Sequence, residues 1–364
     1  MPSKKVIIIT TILLFLLCLT SVIICNFIVR NINNEEEEIV AKAIPLSEVK
    51  YWAYQIQGLN EDDAVGKLAN SNYDILVIEP TRTDWSGSDK DFDTKEMVKR
   101  LKNTKTSDGV HQKLVIAYIN IAEAEDWRWY WTWLKELDSG GALPGDWPDY
   151  ILTIDPDGWV GNYPVAYWRR EWKDIIINGT DISVDSEMDY SSVLEEVLND
   201  GFDGVYLDWV EAFEDEHVID AARRDGVDPE VEMVTFIREI KEYGLARNPD
   251  FLVIQQNGSA LTKEHPELYS IVDAIAQEAI WYDGEAYDDW EASDGYDTVV
   301  DELLTDEYIE NLTKYKKAGL PVFDCEYALE YSSLAYERSL GYGFIPYVTR
   351  RSLSKLTTTP PEIE

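Results

Sequence analysis

Two carboxylic acids close strand-like segments of the sequence, and together they could act on one substrate. Asp208 ends FDGVYLD (202–208), and Glu278 ends IVDAIAQE (271–278). Side chains alternate between the two faces of a strand, so the small alanines before Glu278 share its face, as a narrow barrel interior would accept. If both faces point into the same barrel, the two carboxyl groups converge at its rim.

A pair of carboxyl groups is what glycosidic bond cleavage requires. In retaining enzymes one attacks the anomeric carbon, and the other, about 5–5.5 Å away, protonates the leaving oxygen and then activates water. The acid needs a raised pKa, which the apolar neighbours Ala279, Ile280 and Trp281 would give Glu278 by desolvation. The alternative is that each acid caps a helix or lies in a solvated loop, and spacing alone leaves both interpretations open.

Other strand ends add polar side chains at the same level. Glu79 and Glu326 end two more strand-like segments, and Asn120 and Asn257 hold equivalent positions. For the two glutamates the alternative role is an ion pair with a nearby arginine. Three further acids are interpreted as a solvated rim: Glu211, Glu214 and Asp215.

Composition and motifs argue against several other functions. The net charge of −38 would repel nucleic-acid phosphates and anionic lipid surfaces. The three histidines lie apart from the three cysteines, so no Cys/His zinc site is expected. No nucleophile elbow, P-loop or dinucleotide-binding glycine motif is present, and we expect neither metal nor cofactor. The acidic balance suits a cationic substrate or a saline environment, and charge alone does not separate these.

Strand-like segments alternate with helical periodicity along most of the chain. The strand-like segments are 49–56, 74–80, 113–120, 202–208, 251–257, 271–278, 320–328 and 343–349. The helical segments are 61–71, 93–103, 191–201, 230–248 and 305–319. Eight repeats over about 300 residues predict an α/β fold, a (β/α)8 TIM barrel, with a doubly wound sheet as the alternative.

The connection between the third and fourth strand-like segments is long and rich in tryptophan. It carries eight of the thirteen tryptophans, from Trp127 to Trp172. Either part of it packs as a subdomain, or some of its rings, Trp168 among them, line a sugar groove.

The N-terminus predicts a membrane anchor. Residues 6–29 are uncharged, follow Lys4 and Lys5, and are long enough to span a bilayer. We therefore expect residues 1–30 to be a signal anchor, or alternatively a cleaved signal peptide, and the rest of the chain to lie outside the cytoplasm. The remaining predicted parts are an acidic tether (31–45), the barrel domain (46–355) and a tail (356–364).

Several segments together resemble glycoside hydrolase family 114, the endo-α-1,4-polygalactosaminidase family. AYINIAEAEDWRWYW (117–131) looks like the family stretch Tyr-Ile-Ser-Val-Gly-Glu-Ala-Glu, with Asn120 in place of the serine. GFDGVYLDWVEAF (201–213) and DAIAQEAIWY (273–282) look like the family's fourth and sixth strands. GFIPYVTRRSL (343–353) is similar to its last strand.

The resemblance implies a (β/α)8 enzyme that hydrolyses α-1,4 linkages within galactosamine-type polysaccharide, with retention. It implies Asp208 as nucleophile and Glu278 as acid/base. The side chains expected to orient the sugar are Tyr54, Glu79, Tyr118, Glu123, Trp168, Asn257 and Tyr327. Such a polymer is cationic where deacetylated, which would suit the acidic surface. The alternative is a non-catalytic polysaccharide-binding barrel at the cell surface, which would not need both carboxyls.

Overall fold

The structure is a computed structural model that describes residues 42–80, 93–133, 143–181, 191–284 and 297–357. The chain divides into two compact units, Met1–Lys42 and Ala43–Glu364, and all the elements given below belong to the second. The predicted membrane segment lies outside the described residues, as do most of the tether and of the tail. Within the described ranges, no helix is both long and apolar enough to cross a bilayer.

The described residues form ten strands, eight of which make a parallel sheet. The strands are β1 (Trp52–Gln55), β2 (Ile75–Ile78), β3 (Leu114–Asn120), β4 (Glu123–Glu125), β5 (Asn162–Pro164), β6 (Gly204–Asp208), β7 (Leu252–Gln256), β8 (Ala274–Asp283), β9 (Val322–Tyr327) and β10 (Ile345–Thr349). The sheet order is β1-β2-β3-β6-β7-β8-β9-β10, and β4 pairs with β5 as a separate antiparallel hairpin. Because β1 and β10 also lie side by side, the sheet is a nearly closed barrel. All eight predicted strands are present.

Helices follow the strands around the barrel. They are α1 (Ala64–Asn70), α2 (Thr94–Lys102), α3 (Arg170–Lys173), α4 (Val193–Asn199), α5 (Glu216–Asp225), α6 (Pro229–Leu245), α7 (Glu302–Lys317) and α8 (Ser332–Tyr342). The five predicted helices correspond to α1, α2, α4, α6 and α7, with ends that differ by up to three residues. Helices α3, α5 and α8 were not predicted.

Helix α5 begins where the sequence suggested a solvated rim. The Asp215 carboxylate accepts hydrogen bonds from the backbone N–H groups of His217 (2.9 Å) and Val218 (3.0 Å). Asp215 is therefore the N-cap of a helix, a role that aspartate performs well. The apolar face of α5 is small, since only one valine and two alanines are buried. Its helical periodicity is therefore difficult to recognise in the sequence.

Aromatic rings fill the barrel interior. The ring centroid of Trp52 lies 5.2 Å from that of Phe323, 5.9 Å from Tyr347 and 6.4 Å from Tyr206. Tyr54 lies 4.9 Å from Tyr206. All five side chains are buried. The barrel is thus a packed core, and a ligand can reach only the ends of its strands.

The two glycines of GFDGVYLD, Gly201 and Gly204, are required for different structural reasons. Gly201 follows α4 with a φ of +84°, a conformation that glycine adopts without the steric cost of a side chain. At Gly204 an added Cβ would lie 2.2 Å from the backbone oxygen of Leu252. The close approach of β6 to β7 therefore requires a residue without a side chain.

The tryptophan-rich connection between β3 and β6 packs largely against itself. The Trp131 ring lies 4.9 Å from Trp147 and 5.0 Å from Tyr163, centroid to centroid. Trp172 is fully buried, and its indole N–H donates to the carbonyl of Ile121 at 2.7 Å. For these rings the packing interpretation holds, and the connection forms a subdomain around the β4–β5 hairpin.

Candidate active site

Asp208 lies at the carboxyl end of β6, on the inward face of the barrel. It is in register with Asn120 of β3, just as Tyr206 is in register with Tyr118. Paired residues of parallel strands point to the same side of the sheet, and Tyr206 is buried in the interior. Asp208 is thus the last inward-facing side chain of its strand.

A residue in the left-handed conformation follows the last inward-facing polar residue of β6, β7 and β8. These left-handed residues are Trp209 (φ 59°), Asn257 (φ 53°) and Ala279 (φ 51°). Left-handed backbone is unfavourable for residues with a side chain, and it tends to occur at functional sites. These turns leave Asp208, Gln256 and Glu278 as the side chains at the mouth of the barrel.

Two donors hold one oxygen of Asp208. The Tyr118 hydroxyl donates a short hydrogen bond to Oδ2, and Asn120 Nδ2 donates to the same atom at 3.2 Å. Neither reaches Oδ1, which is therefore the oxygen better placed for a substrate.

Burial raises the pKa of Asp208 to about 7, while the Tyr118 hydrogen bond lowers it. The negative charge of Glu278 contributes to the rise, so the two carboxyl groups are close enough to interact. The structure thus places both carboxyl groups at the mouth of the barrel, and their joint catalytic role stays a prediction.

Glu278 lies on the inward face of β8, in register with Cys325. Its backbone N–H donates to Asn257 Oδ1 at 3.0 Å. Burial raises the pKa of Glu278, while Gln256 and Tyr327, as hydrogen-bond partners of its carboxyl group, lower it. A carboxyl group in this environment keeps its proton at a higher pH than a solvated glutamate, as a general acid requires.

Asn120 connects Asp208 to Glu123. Its Nδ2 also donates to Glu123 Oε2 at 2.8 Å, and its Oδ1 accepts from the N–H groups of Ala122 (3.1 Å) and Glu123 (2.9 Å). Asn162 of β5 donates to the same Glu123 oxygen at 3.0 Å. These contacts fix which end of the Asn120 amide faces Asp208.

Glu123 is buried beside a second acid. Burial raises its pKa well above that of a free glutamate, and the adjacent Asp155 carboxyl and the charge of Asp208 raise it further. A hydrogen bond between the Glu123 and Asp155 side chains contributes to this rise. The wall beside Asp208 is therefore a buried pair of carboxyl groups.

Glu79 is held in a buried ion-pair network. Arg128 donates to both of its carboxylate oxygens, and Arg128 Nε donates to Glu125 Oε2 at 2.7 Å. The exposed fractions are 3% for Glu79, 4% for Glu125 and 9% for Arg128. The structure therefore shows Glu79 paired with an arginine, which was the alternative role considered for it. A sugar contact by Glu79 stays a prediction.

Two of the predicted sugar-orienting tyrosines lie next to Asp208 and Glu278. Tyr54 is buried with its ring 6.3 Å from that of Tyr118, and Tyr327 contacts Glu278. The Arg351 guanidinium lies 5.0 Å from the Tyr327 ring centroid. The floor and one wall of the site are therefore aromatic.

The other predicted residues lie elsewhere. Trp168 donates its indole N–H to Asp225 of α5 at 2.7 Å, and no contact in the described ranges joins it to the carboxyl pair. Asn257 turns toward the helix side, where its Nδ2 donates to Glu211. Glu326 also faces outward, accepting from the backbone N–H groups of residues 280–282. Sugar contacts by Trp168 and Asn257 remain predictions.

Three site residues were not identified from the sequence. Gln256 accepts from the N–H of Trp209 at 3.0 Å and contacts Glu278. Its position at the end of FLVIQQ could have revealed it. Arg351 follows the last strand by two residues, which is a comparable positional cue. Nothing in the sequence around Asn162 indicates its contact with Glu123.

The solvated-rim interpretation is wrong for Glu211. The residue is half-buried, Asn257 Nδ2 donates to its Oε1 at 2.9 Å, and burial raises its pKa to about 8. The 3-10 turn Val210–Glu214 after the left-handed Trp209 folds this side chain back against the barrel.

Comparison with known proteins places the chain among glycoside hydrolases. The model of glycoside-hydrolase family GH114 matches residues 35–363. An uncharacterized protein of Methanocaldococcus jannaschii is 31% identical over 326 residues, covering 84% of this chain and 78% of the relative. One from Thermotoga maritima is 30% identical over 321 residues, covering 83% and 81%.

Two solved structures resemble the barrel. They are the glycoside hydrolase domain of PelA from Pseudomonas aeruginosa and Ega3 of Aspergillus fumigatus in complex with galactosamine, each with a TM-score of 0.55 and 15% identity. The match covers 85% of this chain for PelA and 88% for Ega3, and 98% of each of those chains. The predicted (β/α)8 barrel is confirmed.

Proposed function

The chain belongs to glycoside-hydrolase family GH114, and on that premise we propose that it cleaves a galactosamine-type polysaccharide with Asp208 and Glu278 as its catalytic pair. The observation that carries this proposal is the position of two carboxyl groups on the inward faces of β6 and β8, at the mouth of one barrel. The likeness to PelA and to Ega3 bound to galactosamine supports the substrate class.

In the proposed reaction, Asp208 attacks the anomeric carbon. Tyr118 and Asn120 hold its Oδ2, so the bond forms through Oδ1. Glu278 donates its proton to the leaving glycosidic oxygen, and the resulting carboxylate then takes a proton from the water that releases the sugar. Two displacements of this kind return the anomeric carbon to its starting configuration, which makes the reaction retaining.

The pH dependence follows from the two protonation states. Asp208 must be ionised to attack, so activity is lost as pH falls through its pKa of about 7. Glu278 must hold a proton, so activity is also lost as pH rises through its elevated pKa. A cationic sugar bound beside Asp208 would favour its ionised form and extend activity to lower pH.

Replacing Tyr118 by phenylalanine removes the hydroxyl that lowers the pKa of Asp208. We expect the acidic limb of kcat/KM against pH to move to higher pH, with activity at about pH 6 reduced roughly ten-fold. Tyr54→Phe deletes the same atom from the neighbouring ring and should leave that limb in place. If the acidic limb of kcat/KM in Tyr118→Phe is unchanged or moves to lower pH, the assigned hydrogen bond is contradicted.

The proposed function is tested with polymers of defined linkage. The purified protein is incubated with α-1,4-linked galactosamine polymer, deacetylated and acetylated, and with β-1,4-linked glucosamine polymer as control. We expect new reducing ends from the α-linked polymer only, short oligomers if cleavage is internal, and an α-anomer as first product by NMR. Tight binding with no released ends would instead support a non-catalytic polysaccharide-binding barrel.

We further propose that the barrel works outside the cytoplasm, held by the apolar segment 6–29. The uncharged length of this segment supports that location, and the net charge of −38 suits a cationic extracellular polymer. Protease added to intact cells should remove the barrel domain while a cytoplasmic marker stays whole. A protected domain would refute the location without affecting the enzymatic proposal.

A further inference from the structure

A cavity of about 160 Å³ lies on the outer side of the barrel. Gln277 lines it from β8, and it points outward because it alternates with the inward-facing Ala276 and Glu278. Asn311 lines it from α7. The backbone of the sheet therefore separates this cavity from the mouth that holds the catalytic pair.

Several buried polar atoms of this cavity have no partner within the part of the chain that the structure describes. They are Glu211 Oε2, Gln277 Oε1, Asn311 Oδ1 and Asn311 Nδ2. Gln277 is 2% exposed and Asn311 is 1% exposed. Buried polar groups in native proteins nearly always have a partner, so four such atoms around one cavity require hydrogen-bonding partners inside it.

A hydrogen-bond chain fixes which atoms face the cavity. Gln277 Nε2 donates to Asn257 Oδ1 at 2.9 Å and to the Glu278 carbonyl at 3.2 Å, so the atom left over is an oxygen. Asn257 Nδ2 in turn donates to Glu211 Oε1, which leaves Oε2 for the cavity. With Asn311 Oδ1, three oxygen acceptors without a partner belong to residues that line the cavity, and one of them is part of a carboxyl group.

The charge around the cavity favours a cation. Glu214 and Glu307 line it as exposed acids, and its described lining includes no lysine or arginine. Lys263 pairs with Glu307 at 2.7 Å, outside that lining. Burial raises the pKa of Glu211 to about 8, and a positive charge at its Oε2 would favour the ionised form.

We propose that this cavity is a second binding site, which takes a protonated primary amine. Three N–H donors of an ammonium group match the three oxygens of Glu211, Gln277 and Asn311. The remaining donor, Asn311 Nδ2, suits a hydroxyl group on the same ligand. A divalent metal fits poorly, because it needs more oxygens, and the described residues include no group of three acids, histidines or cysteines that could hold one.

The shared ligand chemistry can come from a small free amine or from an amino sugar, and calorimetry of the full-length protein separates the two. Methylammonium should bind saturably, at least about ten-fold more tightly than tetramethylammonium, which has no N–H donors, or than K⁺. If galactosamine competes with methylammonium for the site, the ligand is an amino sugar. If galactosamine does not compete with methylammonium, the ligand is a smaller amine.

Two variants tie the binding to these residues. Asn311→Leu removes both amide atoms and should weaken methylammonium binding about ten-fold or more. Glu211→Gln keeps the shape but removes the charge, and it serves the same purpose if the leucine variant does not fold. Glu310→Gln changes an exposed neighbour on α7 and should bind like the wild type.

The amine site is refuted by absence of saturable binding up to about 100 mM methylammonium. It is equally refuted by binding that survives in both variants, or by K⁺ binding in place of amine. The measurement requires no glycosidic cleavage, so its outcome is independent of the proposed enzymatic function.

Discussion

Asp208→Asn is expected to lower kcat by about 10³-fold or more while the barrel stays folded. Asparagine has the same shape and still accepts hydrogen bonds from Tyr118 and Asn120 through its carbonyl oxygen. It cannot form the covalent bond to the anomeric carbon. A more reactive leaving group does not restore the missing nucleophile, so the loss should be as large for an activated aryl glycoside as for the polymer.

Glu278→Gln should show a different pattern, which separates the two roles. Loss of a general acid costs about 10²–10⁴-fold when the leaving group needs a proton. An aryl glycoside whose phenol leaves readily needs none, so the first step of this variant should be nearly normal on that substrate. Added azide should then speed turnover, because this anionic nucleophile needs no base: it attacks the anomeric carbon in place of water, releases the Asp208 carboxylate and gives a glycosyl azide.

Asp220→Asn is a matched control for these two variants. Asp220 lies exposed on α5, where it pairs with Arg223, and the same atom exchange there should leave kcat unchanged. All three proteins should unfold within a few degrees of the wild type. Full activity of either catalytic variant on the polymer would refute the pair, and equal losses on both substrates in Glu278→Gln would refute its role as the acid.

The site was foreseeable from the sequence to the extent that it depends on strand alternation. Asp208 and Glu278 end β-branched or small-residue runs, and the period of two places both on the face of their buried predecessors. Such a pattern is local, and tertiary packing reinforces it, so eight strands could be identified without a structure.

The unforeseen parts depend on backbone turns and distant partners. The positive φ of Asn257 turns its side chain to the helix side; asparagine adopts that conformation more often than most residues, but the sequence does not show which asparagine does so. Glu211 was assigned to solvent because its neighbours are acidic, but the 3-10 turn after Trp209 buries it. An arginine partner was the alternative role for Glu79, but Arg128 lies 49 positions away, and spacing does not identify it as that partner.

Arg128→Met is expected to destabilise the barrel by about 3–5 kcal/mol. The arginine is buried between Glu79 and Glu125, and its removal takes its positive charge and its hydrogen bonds away from two buried carboxylates. Methionine fills most of the volume, so the cost is electrostatic and not that of a cavity. The free energy of unfolding, from urea denaturation at neutral pH, measures this cost directly.

Two further variants separate this effect from the loss of any arginine. Arg169 pairs with Asp225 at 2.7 Å near the surface, so Arg169→Met should cost only about 0–1 kcal/mol. Combining Arg128→Met with Glu79→Leu and Glu125→Leu also removes the two negative charges and should recover most of the loss, because apolar replacement of a whole buried ion network is often neutral. If the triple variant is less stable than Arg128→Met alone, the network stabilises the barrel by more than charge balance. If Arg128→Met costs no more than Arg169→Met, water reaches the Glu79 and Glu125 carboxylates more readily than their exposures of 3% and 4% imply.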